Sequence, residues 1–293
     1  MLNLVERSDD KAFLLSSGEQ GAHALTARMP RDEQLSNAEF ASVLRIRTGL
    51  NASTTPLPDT CEKCGKGTDG NNLHAFTCSE GGKGGLLGQK ATRHKLIKRA
   101  IIDSFRWVAN TLIGVPGVVD TDKEPLCRDY WSLKPSAQPG DINDVDALVN
   151  QRPDIKFKPA NGAIRLADVT VVHPNTRRHS GAAVVPESAA KYAYEHKLSA
   201  YGNWDIPAGQ LIPLVWESGG RMHSGSYNFL KTMIFELMPT RDKALWTTET
   251  HLIYHTAIKH VLDRTSTASA KGLARAVLTP LGVPSTGLRK YGP

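Results

Sequence analysis

Ile164 to His173 reads Ile-Arg-Leu-Ala-Asp-Val-Thr-Val-Val-His, apolar and β-branched on both faces, which is the pattern of a central strand covered by helices on either side. Asp154-Ile155-Lys156-Phe157 alternates ahead of it as a shorter strand, and the connection from Lys158 to Ala163 contains the Asn161-Gly162 signal of a hairpin. Leu211 to Trp216 is a further core strand; Glu217 is read as its last residue and Ser218-Gly219-Gly220 as the turn after it. Elsewhere the apolar period is helical. Ala91 to Leu112 places Leu96, Ile97, Ala100, Ile101, Phe105 and Val108 on one side, Pro186 opens a helix over Glu187 to Tyr201, and Ser224 to Met238 predicts a helix packed on the sheet. Asn37 to Thr48 is a shorter helix, capped by Ser36 or Asn37 with Glu39 at capping-box spacing, on which Phe40, Val43, Leu44 and Arg47 recur at helical intervals. Leu245 to Asp263 predicts a last helix, and the Ser-, Thr- and Gly-rich sequence beyond it a frayed basic tail. Residues 1–35 show little period, 51–60 read as a linker and 81–85 as a flexible glycine run. The expected fold class is α/β, a mixed β-sheet flanked by helices.

Composition narrows this only modestly. At 293 residues, 40% hydrophobic and 22% charged, the chain is long enough to bury one sizeable core or two. It has no uninterrupted apolar run of about 18 residues, and its first residues lack the basic-then-apolar order of a signal peptide, so neither membrane insertion nor secretion is expected. The net charge of +7 favours an acidic partner such as nucleic acid, because lysine and arginine neutralise phosphates and release counterions. Basic residues for such contacts crowd one helix, at Arg93, His94, Lys95, Lys98 and Arg99, and recur at Arg177, Arg178 and His179. Their alternative reading is a solvated charged face.

Three of the four cysteines fall together, and Cys127 stands apart, which argues against a disulfide framework and for a reducing, intracellular compartment. Cys61 and Cys64 form a Cys-x2-Cys pair and His74 and Cys78 a second pair, the spacing of a tetrahedral zinc site, with Gly65, Gly67 and Gly70 supplying the dihedrals of the turns between them. A closed shell of four protein ligands is structural, so this module is expected to organise the chain or contact nucleic acid and to perform no chemistry.

Asp168 stands in the middle of the long strand. A buried carboxylate is costly unless a cation or a donor satisfies it; a salt bridge to Arg165 or Arg152 is one solution and a bound metal another. Register decides whether Asp154 joins it. A two-residue loop at Asn161-Gly162 sets the two aspartates on opposite faces, whereas a three-residue loop, Ala160-Asn161-Gly162 with a left-handed Gly162, sets them directly across from each other. The second register is the expected one. Carboxylates about 5 Å apart on neighbouring strands repel unless a divalent cation sits between them, and that is a Mg²⁺ site. On the helix over Glu187 to Tyr201, Ala190, Tyr194, Lys197 and Tyr201 share a stripe while Lys191 lies well around the helix, so Lys197 is the lysine expected against the sheet.

The order of these pieces is that of a known arrangement: Cys-Cys-His-Cys, Arg93-His94 on a basic helix, Glu124-Pro125, Arg152-Pro153-Asp154, Asp168-Val169-Thr170-Val171, Lys197-Leu198-Ser199-Ala200-Tyr201 and Pro213 to Gly220. Over about residues 40 to 240 the chain resembles the C-terminal region of site-specific non-LTR retrotransposon polyproteins, a zinc knuckle followed by a restriction-like endonuclease of the PD-(D/E)xK class. The resemblance implies a restriction-endonuclease-like sheet, a helical lead-in over 1–60, a CCHC zinc knuckle over 61–92, the nuclease core over 93–240, and a C-terminal helix and tail over 241–293. It further implies a metal-dependent DNA endonuclease that nicks target DNA, with Asp154 and Asp168 holding catalytic Mg²⁺, Glu124 as the acidic residue on the helix before the sheet, and Lys197 as the catalytic lysine with Tyr201 beside it. Structural Zn²⁺, DNA and element RNA as partners, and a nuclear location follow from the same likeness. The sequence departs from the broader nuclease pattern at Thr170, where the usual lysine would stand, and it contains no Tyr-x-Asp-Asp of a reverse transcriptase, so a fragment, a stand-alone endonuclease or a decayed copy is expected. Two other functions fit the same residues: a non-catalytic zinc-containing nucleic-acid-binding module, and a Holliday-junction or repair nuclease on the same core.

Overall fold

Around the long apolar strand the chain builds a mixed sheet in the order β1-β2-β3-β4. The computed structural model describes residues 24–25, 27, 29–30, 33–48, 50, 59–60, 65, 67, 86–115, 118–120, 124–135, 147–159, 162–174 and 185–278, with backbone alone at 86–91 and 120. β1 (Val119–Asp120) is only two residues long and pairs antiparallel with β2 (Ile155–Phe157); β2 is antiparallel to β3 (Arg165–Val172), and β3 is parallel to β4 (Leu211–Glu217). Among the described residues the α-helices are α1 (Asn37–Arg47), α2 (Leu86–Trp107), α3 (Ser188–Ala200), α4 (Ser224–Leu237) and α5 (Thr248–Leu278).

The pleat of β3 and β4 divides the core between two helical layers. Ala167, Val169, Leu214 and Trp216 pack with Ile97, Ile101 and Phe105 of α2, with Phe229, Leu230 and Met233 of α4, and with Ala257 and Val261 of α5. The alternate residues face α3, where Val215 meets Ala190 and Ala193, and the Trp131, Tyr201 and Trp204 cluster that also takes in Leu166 and Leu211. Ile97, Ile101, Phe105 and Phe157 are fully buried, and burial of each such side chain contributes about 1.5–3 kcal/mol. Pro213, which has no N–H, faces the open edge of β4 rather than β3, and there the Ser226 hydroxyl of α4 donates to Pro213 O and accepts from Val215 N–H, each at 2.9 Å.

Three elements differ from expectation. α2 starts at Leu86, so the proposed boundary at residue 92 falls inside a helix, and after Trp107 it widens into a π-helical segment, Val108–Ile113. α1 has the predicted capping box, with Ser36 as the cap, but Phe40 and Leu44 are exposed. Its buried side is Glu39, Ser42, Val43 and Ile46, because Arg275 of α5 donates to Glu39 at 2.8 Å and Ala270, Ala274 and Leu278 receive Val43. The largest correction is at the C-terminus, where α5 runs on through the Ser-, Thr- and Gly-rich stretch expected to fray. Thr265, Ser266, Thr267 and Ser269 are buried, and the Thr265 hydroxyl is absorbed by donating back to Val261 O at 2.9 Å. Small side chains let α5 lie close on α2: a Cβ on Gly272 would stand 2.4 Å from Arg93 Cγ.

Candidate metal centre

The β2–β3 pairs Ile155↔Ala167, Lys156↔Leu166 and Phe157↔Arg165 place Asp154, one residue before the first pair, directly opposite Asp168. This is the register expected from the sequence. The connection is longer than the three-residue loop proposed for it, since pairing stops at Phe157↔Arg165, and Gly162 is not left-handed as that loop required; Ala160 and Asn161 lie outside the described residues. Asp154 is tied into the ladder twice, its N–H donating to Ala167 O at 2.9 Å and its Oδ2 accepting the Val169 N–H at 2.7 Å. Asp168 is 5% exposed.

α3 reaches the pair from one layer. Lys197 Nζ donates to Asp168 Oδ2 at 2.8 Å, and the buried Tyr201 hydroxyl donates to the same oxygen at 2.5 Å. The stripe predicted for this helix holds: Ala190 is fully buried on the sheet and Lys191 is exposed. The helix is entered through Glu187 rather than through its proline, with Glu187 left-handed at φ 69°. Neither arginine weighed as a partner serves Asp168, for Arg165 pairs with Glu236 and Arg152 donates to Glu124 O at 3.4 Å. Thr170, at the usual lysine position, has a buried hydroxyl without a hydrogen-bond partner.

α2 reaches the pair from the other layer. His94 Nε2 lies 2.8 Å from Asp154 Oδ2, and Lys98, one turn on, lies 3.5 Å from Asp154 Oδ1 and 2.5 Å from Glu124 Oε1. These positions correct two expectations. Glu124 is not on a helix; it lies in the segment between β1 and the short 3₁₀ turn Cys127–Asp129, its side chain 47% exposed, and it meets the aspartates only through Lys98. The basic residues of α2 are not one solvated face either, because Arg93 is buried against α5 and His94 and Lys98 turn to the acids, leaving Lys95 and Arg99 exposed. Sequence reasoning gave His94 to phosphate. The usable signal was its spacing: His94 and Lys98 flank the fully buried Ile97 and Ile101 and so look to the rim of the sheet.

Electrostatics separate the two acids. Burial pushes Asp154 up, but the hydrogen bond and charge of His94 and the Val169 N–H outweigh it, so its pKa falls below the ordinary carboxylate value. Asp168 is raised, by burial first and then by the charge of Asp154, against the opposing pull of Lys197 and Tyr201. Burial and the Asp168 charge also raise the Tyr201 hydroxyl and push the buried Cys127 thiol up to about 12, which leaves both protonated and Cys127 inert. One ligand atom from each of His94, Asp154 and Asp168 falls within a 4.8 Å span. Two carboxylates and an imidazole are a donor set suited to a divalent cation, which would relieve the mutual repulsion of the acids.

Compared with protein-family models, curated proteins and solved structures, the chain finds no match.

Glu217 ends its strand as read from the sequence: it is buried, accepts the Ala190 N–H of α3 at 3.2 Å, and pairs with Val172 at the far end of β3 from Asp168. Cys61, Cys64, His74 and Cys78 lie outside the described residues, as do Arg177, Arg178 and His179. Beside the first cysteine pair, Thr60 bridges to Gly67 and Gly65 is left-handed at φ 66°; Gly67 is not left-handed, so of the three glycines read as turn formers only Gly65 uses that conformation among the described residues, and Gly70 lies outside them. No described helix is long and apolar enough to cross a membrane.

Proposed function

We propose that this chain is a metal-dependent endonuclease that nicks DNA, with a restriction-endonuclease-like core and a structural zinc knuckle, as its resemblance to the retrotransposon endonuclease region implies. One observation carries the reading: two aspartates opposed across β2 and β3, with the Lys197 ammonium 2.8 Å from the second of them. Asp154 and Asp168 would hold Mg²⁺, and a cation there supplies Lewis acidity that polarises a phosphate oxygen and lowers the pKa of a water. The chain's own part is positional and electrostatic. Lys197, half-buried and fixed by Asp168, faces the developing charge on phosphate, while Tyr201 holds the Asp168 carboxylate in one orientation. DNA is the substrate, the ends produced are a 3′-hydroxyl and a 5′-phosphate, and element RNA is a second partner; the nucleus is the compartment this implies. Cys61, Cys64, His74 and Cys78 bind the zinc and give the chain a second contact with nucleic acid.

The test is incubation of the full chain with supercoiled plasmid and Mg²⁺, followed by polymerase extension of the product. Nicked circles that prime synthesis are expected, and chelator should prevent them; a plasmid left intact under Mg²⁺ refutes the reading. A second reading has one observation in its favour. The carboxylates are already satisfied within the protein, Asp168 Oδ2 by Lys197 and Tyr201 and Asp154 Oδ2 by His94 and Val169, as in an ion-pair network that only supports the fold. That alternative makes the chain a nucleic-acid-binding module and predicts DNA binding without nicking.

A further inference from the structure

We infer that His94 is a third protein ligand of the cation, and that the centre therefore binds Mn²⁺ in preference to Mg²⁺. This rests on the metal-dependent reading of Asp154 and Asp168 and goes beyond it by assigning a nitrogen donor and an ion preference. The imidazole is neither at the surface by chance nor part of the core. Its Nε2 lies 2.8 Å from Asp154 Oδ2, and it shares with one oxygen of each aspartate a span of 4.8 Å, about that of a single coordination sphere after small side-chain adjustment. Its backbone is fixed from two sides, since Arg93 beside it crosses Gly272 of α5 and Ile97 and Ile101 bury the adjacent stripe in the sheet.

Competition from the same helix is held back. Lys98 could neutralise Asp154 in place of a metal, but Glu124 takes its ammonium at 2.5 Å and leaves it 3.5 Å from Asp154 Oδ1. Asp154 therefore keeps His94, not Lys98, as its close side-chain partner from α2, and a cation taking the place of that contact would gain Nε2 as a ligand, with the neutral imidazole carrying its one proton on Nδ1. Mg²⁺ is hard, prefers oxygen and sheds water reluctantly. An imidazole in the set favours first-row transition ions. Mn²⁺ accepts carboxylate, water and imidazole together, and it competes poorly for thiolates, so it reports on this centre with little interference from Cys61, Cys64 and Cys78.

The experiment loads the full chain with Mn²⁺ and records pulsed electron paramagnetic resonance for a directly coordinated nitrogen, with Mg²⁺ added as competitor. Wild type should show the nitrogen modulation, changed in the expected way by ¹⁵N-histidine. His94→Asp, which keeps three ligands but makes all of them oxygen, should lose it and lower the preference for Mn²⁺ over Mg²⁺ by roughly tenfold; His94→Ala should lose the modulation and bind both ions more weakly. Bound Mn²⁺ without nitrogen coupling in wild type overturns the assignment, and so does coupling that survives in His94→Asp; if His94→Asp does not fold, loss or survival of the coupling in His94→Ala decides in its place. Nitrogen coupling in a protein that nicks no plasmid under either ion supports the ligand and refutes the nuclease. Nicking under Mg²⁺ with no nitrogen on Mn²⁺ does the reverse.

Discussion

Asp168 and Asp154 have the same chemistry and opposite environments. Burial and the facing charge raise Asp168, whereas the pull of His94 and a backbone N–H lowers Asp154 against its own burial. The signs fix how each acts on stability. Asp168 with its raised folded value binds protons more tightly in the fold than unfolded, so its contribution falls as pH rises from the ordinary carboxylate range through the raised value and stays unfavourable above it. Asp154, lowered, stabilises above the ordinary value and loses that contribution as pH falls through its depressed one. Asp168→Asn should therefore melt at a higher temperature than wild type at neutral pH without metal, and the difference should vanish below the ordinary carboxylate range; melts at several pH values with chelator present check this, and a lower neutral melting point contradicts it. The two lysines of α3 separate in the same way. Lys197 touches Asp168 and Lys191 is exposed, so Lys197→Ala should slow plasmid nicking by about 10²-fold or more and Lys191→Ala should leave it within about twofold, as single-turnover rates would report.

At the level of elements, much of the site was legible because two periods were strong. The β-branched run around Asp168 could only be a covered strand, and the α3 stripe put Lys197 rather than Lys191 on it. The opposed aspartates followed from register, although the link that sets it is longer than the one predicted. What could not be read came from tertiary packing. Glu124 sits on no periodic element, so nothing local tied it to Lys98. Phe40 and Leu44 satisfied a helical interval yet lie outside, because the Arg275–Glu39 pair turns the other face of α1 inward. The second half of α5 looked polar and breakable, yet small residues are what allow two helices to approach at Gly272. Its burial makes a prediction. A chain ending at Asp263 loses Ala268, Ala270, Leu273, Ala274 and Val277 from the core, and since Leu273 alone accounts for about 1.5–3 kcal/mol of a total near 5–15 kcal/mol, it should lose its cooperative melt by circular dichroism. An unchanged melting curve would contradict the packing of α5 on α2.

Taken whole, the molecule joins a basic chain, a mixed sheet with an acid cluster between two helical layers, and a cysteine-histidine set in its N-terminal third. If that set binds zinc, metal analysis of the purified chain should find one Zn²⁺, lost in Cys64→Ser, with weaker DNA binding and an unchanged melt of the sheet core; a zinc-free chain that binds DNA equally well contradicts the module. The acid cluster carries the larger claim, that this sheet cuts DNA. The most direct measurement is nicking of supercoiled plasmid by wild type, Asp154→Ala and Asp168→Ala at matched DNA occupancy, each with Mg²⁺ and with chelator. Nicked circles are predicted from wild type with Mg²⁺ alone, with both variants bound to the plasmid but inactive; equal nicking by either variant, or an intact plasmid in every lane, would contradict it.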